Sequence, residues 1–233
     1  MVTGIAQIAR RKEGNTMRKR ILAVILATLL LCAVLTGCVK VVPLTSGGTA
    51  SGDVNGDDDS FDAQAYIKGM FQTKAVPELE KKAVEFSTFM TESKGDFSTV
   101  GTKYGQRADA NSMYNFVVKG TASVEEVKTE LRAGYIVLKV NGYTGSTPVK
   151  VQVGPVFKGT SLRDSISSIK FDDFKNQVTF AALSTALHKQ ITEDLFTKIK
   201  PADLKGKTID FYGTFANDGS GEILITPFEL KIK

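Results

Sequence analysis

The densest group of side chains able to do chemistry lies in residues 158–177. Its members are polar and sit between two apolar elements: Lys158, Thr160, Arg163, Asp164, Asp172, Asp173, Asn176 and Gln177. A guanidinium can donate two parallel hydrogen bonds to a carboxylate or to sugar hydroxyls, and Asp and Asn side chains can accept from and donate to a sugar ring. The segment is therefore a candidate ligand site for a carboxylate or a small carbohydrate. The favoured interpretation is internal, in which Arg163 pairs with an aspartate and Asn176 and Gln177 satisfy loop backbone.

Catalytic patterns are incomplete. Asp172 and Asp173 are sequence neighbours, whereas glycosidases place two carboxyl groups roughly 5–9 Å apart on either side of the bond, so a helix-capping role is favoured. Residues 205–208 imitate the end of a phosphate-binding loop, but Pro201 stands where the first glycine belongs. His188 has no second histidine with which to hold a metal ion. We therefore predict a protein that is not an enzyme and has no cofactor and no metal.

Cys38 is the second group with a specific chemistry. Basic residues 18–20 precede an apolar run, residues 21–35, of about fifteen residues, and small residues follow it. This is the pattern of a secretory signal, and the run is shorter than the roughly twenty residues of a membrane span. Residues 35–38, Leu-Thr-Gly-Cys, resemble the lipobox of bacterial lipoproteins, in which the cysteine is acylated. We expect Cys38 to be the lipidated first residue, anchored in a bilayer outside the cytoplasm; an uncleaved anchor with an incidental cysteine is the alternative.

Charge and cysteine content exclude several classes of function. The chain has 30 basic and 25 acidic residues, and residues 1–37 hold six of the basic and one of the acidic ones, which leaves 24 of each. A neutral body lacks the positive surface that phosphate backbones require, so no nucleic acid partner is expected. The only other cysteine, Cys32, lies in the apolar run. The body has no thiol left for a disulfide, a zinc site or a nucleophile.

Composition divides the chain into four parts. Residues 1–37 are an upstream extension plus the signal, and residues 38–60 are the lipidated cysteine and a linker rich in Gly, Ser and Asp, which is predicted to be a flexible tether. Residues 61–110 are predicted to form a helical subdomain and residues 111–233 a barrel domain. Alternating acidic residues in the linker imitate a calcium loop but lack its sixth-position glycine and twelfth-position glutamate, so a solvated linker is favoured.

Periodicity supplies the elements that must position these groups. Apolar spacing predicts helices at 61–71, with Ser60 as its cap, at 77–90, and in a short turn at 96–104. Alternation then predicts strands at 113–127, 135–140 and 149–153, a helix at 172–199, and strands at 208–215 and 222–232. Three strands, a helix and two strands are the order of the OB-fold, a five-stranded Greek-key barrel, so we expect an α+β chain with an OB-like barrel. A different α+β sandwich with the same order remains an alternative.

Three stretches carry a family resemblance: residues 61–67, residues 154–164 from Gly-Pro to Arg-Asp, and residues 171–177. They resemble a family of predicted bacterial periplasmic lipoproteins of unknown function, across the whole body. Members of that family are often encoded beside sugar-type ABC importers. The resemblance implies an accessory role at the envelope, with importer components as partners, and it carries no catalytic residues.

Together these observations predict a membrane-anchored extracytoplasmic lipoprotein. Its expected role is that of a non-enzymatic accessory or ligand-binding module linked to a carbohydrate importer. The alternative is a structural envelope protein that contacts other proteins through its barrel.

Overall fold

The N-terminal helical segment is fixed by one cap and one apolar stripe. The computed structural model describes residues 61–107 and 110–233; the predicted signal, Cys38, the linker and Ser60 lie outside the described residues. Helix α1 (Ala63–Met70) begins later than expected because the Asp62 side chain caps it, accepting the Ala65 N–H at 2.9 Å. A π-helical turn, Phe71–Ala75, joins it to α2 (Val76–Lys82). The buried stripe recurs every four residues: Ile67, Phe71, Ala75 and Leu79.

The single helix predicted at 77–90 is wrong. It breaks at Ala83, where the short strand β1 (Val84–Glu85) pairs in parallel with the first barrel strand, and α3 (Phe86–Ser93) follows. The apolar spacing continues across the break although the two parts pack in different places. Leu79 packs on the outside of the barrel, whereas Phe86 and Phe89 pack within the barrel core. A 3-10 turn (Phe97–Val100), α4 (Gly101–Tyr104) and β2 (Gly105–Gln106) complete the segment.

Five strands form a closed barrel. They are β3 (Asn115–Lys128), β4 (Ala133–Val140), β5 (Val149–Pro155), β6 (Thr208–Ala216) and β7 (Ile223–Ile232). The order is β3-β4-β5-β7-β6, and β6 pairs back onto β3. Only β5 and β7 pair in parallel among these five. The predicted α+β fold with an OB-like barrel is confirmed, whereas the boundaries predicted at residues 60 and 110 stay predictions.

Strand β3 closes the barrel because it is long enough to pair with two neighbouring strands. Its residues 115–123 pair with β6, and its residues 122–128 pair with β4. The register irregularity between β3 and β4 lies between Val124 and Glu126. A Cβ at Gly120 would lie 3.3 Å from the Phe211 ring, so the glycine makes room for that ring inside the barrel.

Two apolar clusters hold the described residues together. The first fills the barrel and includes Phe89, Phe116 and Phe215, whose rings contact one another. The second joins the N-terminal stripe to α5 (Ser161–Asp164), to α6 (Gln177–Ile191) and to the outer face of the barrel. The helix predicted at 172–199 begins only at residue 177 and ends in a π-helical turn, Thr192–Phe196. Within the described ranges no helix is long and apolar enough to cross a membrane.

Candidate ligand-binding groove

Arg163 lies at the centre of the polar segment predicted from sequence. Its Nε donates to Asp164 Oδ1 at 2.8 Å, and its guanidinium lies 4.0 Å from the centre of the Phe180 ring. One terminal nitrogen donates to the Phe180 carbonyl at 3.3 Å. Thr160 donates to the other Asp164 oxygen at 2.6 Å. The Arg163 side chain is only 12 % exposed, and through these contacts it chiefly holds α5 against α6.

The other polar residues of this segment occupy separate places. Asn176 caps α6, its Oδ1 accepting the Thr179 N–H at 2.9 Å, and Gln177 is the exposed first residue of that helix. Asp172 and Asp173 lie exposed in a 3-10 turn. Lys158 is held by its backbone N–H, which donates to Gln152 Oε1 at 2.6 Å, while its side chain is exposed. The structure therefore joins Thr160, Arg163 and Asp164 in one cluster, and ligand binding by the eight residues stays a prediction.

A groove of about 460 Å³ lies elsewhere, between the N-terminal helices, the chain after α6, and β7. Its walls combine three apolar and five polar side chains: Gln72, Val76, Glu80, Asp194, Leu195, Lys198, Phe228 and Glu229. The first three recur every four residues on one helical face. Phe228 is buried and Val76 and Leu195 are half-buried, whereas Gln72, Glu80 and Lys198 are exposed. The volume is in the range of small-molecule sites, about 300–1,000 Å³.

The carboxyl groups of the groove differ in their partners. Asp194 accepts hydrogen bonds from Gln72 Nε2 at 2.8 Å and from Gln190 Nε2 at 3.0 Å. Local burial, and then the hydrogen bond and charge of Glu229, raise the pKa of Glu80. Glu229 also forms an ion pair with Lys231. The groove thus combines the hydrogen-bonded carboxyl group of Asp194 with two further carboxyl groups, those of Glu80 and Glu229, and the pKa of Glu80 is raised.

The groove is not apparent from the sequence. The helical spacing of Gln72, Val76 and Glu80 was the available signal, but it does not distinguish a groove wall from a solvated face. Asp194 and Phe228 come from more than a hundred residues further along the chain. Only the packing of α6 and β7 against the N-terminal helices brings them to that face.

Comparison with known protein families decides the identity of the chain. A family model described as a predicted periplasmic lipoprotein (DUF2291) matches residues 28–231. The chain belongs to this family. It is an extracytoplasmic, lipid-anchored protein, as the resemblance and the signal pattern predicted. Acylation at Cys38 itself and the link to an importer stay predictions.

A solved structure supports the fold of this lipoprotein. It is a crystal structure of an OB-fold protein from Thermotoga maritima MSB8, with 17% identity and a TM-score of 0.62. The match covers 75% of this chain and 100% of that chain. At this identity the likeness establishes the fold alone. No curated protein matches the sequence.

The barrel of the lipoprotein has a further polar face on β4 and β5. In OB-folds the corresponding second and third strands bind oligonucleotides and oligosaccharides. Here Lys150 Nζ lies 4.7 Å from the centre of the Tyr135 ring and forms an ion pair with Glu222. Both side chains are half-buried. The Tyr135 ring is therefore partly covered by a lysine of the protein itself.

His188, the single histidine, packs against an aromatic ring. It stacks on Phe157 with 5.2 Å between the ring centres, and burial lowers its pKa. The imidazole is accordingly neutral at pH 7 and acts as a packing group. Across residues 61–107 and 110–233, no group of three or more His, Cys, Asp or Glu side chains is placed to hold a metal ion.

Proposed function

We propose that this lipoprotein is a non-enzymatic ligand-binding module that holds a small carbohydrate in the groove and serves a carbohydrate importer. The observation that carries the proposal is the composition of the groove wall, where acceptors and donors surround apolar side chains in a space of monosaccharide size. The importer association is supported by the family resemblance and by the lipid anchor, which keeps the body at the membrane where an importer resides.

A sugar ring has complementary chemistry. Its hydroxyls can donate to the carboxylates of Glu80, Glu229 and Asp194, and its oxygens can accept from Lys198 Nζ and Gln72 Nε2. Its C–H face can lie against the apolar part of the wall, which Val76, Leu195 and Phe228 form. Each partner is one that the groove already offers without rearranging the barrel.

A thermal-shift screen of the full mature chain in detergent tests the proposal. Neutral pentoses and hexoses, amino sugars and simple amines serve as probes, and at least one neutral sugar should raise the melting temperature. Glu80→Gln combined with Asp194→Asn should remove that shift, whereas Asp172→Asn combined with Asp173→Asn should keep it. A shift with amines alone, no shift with any sugar, or a shift that survives the groove variant would each overturn the proposal.

A second candidate function is a structural one, in which the barrel contacts another envelope protein. The face around Tyr135 and Lys150 favours it, because half-buried aromatic and basic side chains lie beside each other there on neighbouring strands. Tyr135→Ala should then abolish chemical crosslinking of the lipoprotein to a neighbour in membranes, and Gln72→Ala should not. Unchanged crosslinking in Tyr135→Ala contradicts this second function.

A further inference from the structure

A continuous aromatic surface lies where the described chain begins. We define the aromatic patch as five rings whose neighbouring centres lie between 5.3 and 5.8 Å apart, in the order Phe61, Tyr66, Phe174, Phe180 and Phe171. Phe61 is 41 % exposed and Phe171 is 46 % exposed. Val178, at the start of α6, is an exposed apolar side chain in the same part of the chain. Contiguous apolar surface of this kind on a folded protein marks an interaction site.

Internal packing accounts for only part of the patch. Phe174 and Phe180 pack against the outer apolar cluster, and Arg163 covers one face of Phe180. Phe61 and Phe171 belong to neither apolar cluster of the described residues and keep much of their surface in solvent. Aromatic rings with this exposure are favoured at the boundary between lipid headgroups and acyl chains.

The predicted anchor places a bilayer within reach of the patch. Residues 39–60 separate Cys38 from Phe61. Even when fully extended, these 22 residues reach at most about 80 Å, which bounds the distance between the anchor and Phe61. Tethering within that distance raises the effective concentration of the bilayer surface at the patch, so even a weak affinity for the surface would favour docking.

Charge around the patch is balanced. In the loop that carries Phe171, Lys170 and Lys175 accompany Asp172 and Asp173. Attraction to anionic lipid is therefore not the driving force. We infer that the aromatic patch docks on the surface of the same bilayer that holds the lipid anchor, with its rings at the headgroup boundary. This inference does not depend on the proposed sugar binding.

Docking would orient the rest of the body. Glu80 lies near the end of α2, about 25 Å along the helix from the start of α1 at 1.5 Å per residue. Glu229 lines the same groove as Glu80, so the last part of β7 lies at this far end too. Ile232, beside Lys231, is 48 % exposed and provides a control position matched to Phe171.

Tryptophan fluorescence tests the inference, since the chain has no tryptophan of its own. Phe171→Trp and Ile232→Trp are made separately in the full acylated chain, which is reconstituted in vesicles of phosphatidylethanolamine and phosphatidylglycerol with brominated acyl chains. Tryptophan at position 171 should emit at shorter wavelength and be quenched several-fold more than tryptophan at 232. Added salt should not change the difference, because the local charge is balanced.

A second set of variants separates docking from folding. Phe61→Ser combined with Val178→Ser, in the Phe171→Trp background, should reduce quenching to the level of Ile232→Trp, with an unchanged circular dichroism spectrum. Absence of quenching at 171, or equal quenching at 171 and 232, would overturn the inference. A blue shift without quenching that depends on protein density would also overturn it and would show that a second copy covers the patch.

Discussion

The polar segment at residues 158–177 and the groove contain similar polar side chains, but those of the segment contact one another and those of the groove line an open volume. In the polar segment, Arg163 contacts Asp164 and Phe180, and Asn176 caps the helix that follows. In the groove, Glu80, Glu229 and Lys198 line one open volume, and Gln72 donates to Asp194. Polar residues close together in sequence thus satisfy one another, whereas the groove collects its polar groups from three distant stretches.

This contrast teaches how to weigh a polar cluster in a sequence. Short-range hydrogen bonds form at little entropic cost because the chain between the partners is short. Polar residues that cluster within twenty positions of the sequence therefore form helix caps and ion pairs with one another more easily than polar residues from distant elements do. In this lipoprotein we therefore expect substitutions in the polar segment to change stability and substitutions in the groove to change ligand binding.

The largest expected effect on stability is that of Arg163→Ala. The substitution removes the hydrogen bonds to Asp164 and Phe180 from a mostly buried guanidinium, and the free energy of unfolding should fall by about 2 kcal/mol. Urea unfolding of the full chain measures it. Arg163→Lys should lose less, since it keeps the charge but not the planar fork. Unchanged stability together with loss of a sugar-dependent shift would instead locate the ligand in the polar segment.

A smaller effect is expected at the helix cap. Asn176→Ala leaves the Thr179 N–H without its side-chain acceptor, and the free energy of unfolding should fall by about 1 kcal/mol. Asn176→Asp should retain most of the stability because a carboxylate caps equally well. Gln177→Ala, one residue further on, is the matched control and should stay within about 0.5 kcal/mol of the unmodified chain. Equal losses in the two alanine variants would contradict the cap assignment.

The smallest effects concern two glutamates of α2 whose pKa values move in opposite directions. Partial burial acts to raise the pKa of Glu78, but hydrogen bonds from Lys82, Ser167 and Ser168 bring it below the ordinary 4.5. Its contribution to stability is therefore present above that pH and is lost as the pH falls through the lower folded value. The pKa of Glu80 is raised, so its contribution is present at acid pH and is lost as the pH rises through the higher folded value.

Melting temperatures measured from about pH 3 to pH 8 distinguish the two sites. Glu78→Gln should flatten the acid limb of the profile, because the group that is ionised in the folded state is gone. Glu80→Gln should leave that limb unchanged and slightly raise the melting temperature at neutral pH. The same profile for both variants would contradict the opposite assignments.

The barrel could be predicted because the alternation of apolar and polar residues along each strand shows which face of that strand is buried. Phe116 and Val118 alternate into the core, and β4 to β7 follow close to the expected limits. Helix limits were less predictable. The break at Ala83 follows from β1 joining β3, a contact between segments that the spacing of Leu79 and Phe86 does not encode.

The groove could not be predicted for a related reason. Gln72, Val76 and Glu80 look like the solvated side of an amphipathic helix, and only the approach of the chain after α6 turns that side into a wall. The carboxyl pair Glu80 and Glu229 depends on the position of β7 along the helix, which tertiary packing sets. In contrast, the Cys38 signal depends on adjacent residues alone and needs no fold.

Calorimetric titration with the sugar that gives the greatest thermal shift tests the central claim, that the groove and not the polar segment holds the ligand. The full chain is compared with Glu80→Gln plus Asp194→Asn and with Asp172→Asn plus Asp173→Asn, which remove the same number of carboxylates. The groove variant should weaken binding at least about tenfold, equivalent to about 1.4 kcal/mol, and the polar-segment variant should bind like the unmodified chain. Weaker binding in the polar-segment variant, with the groove variant unaffected, would contradict the claim.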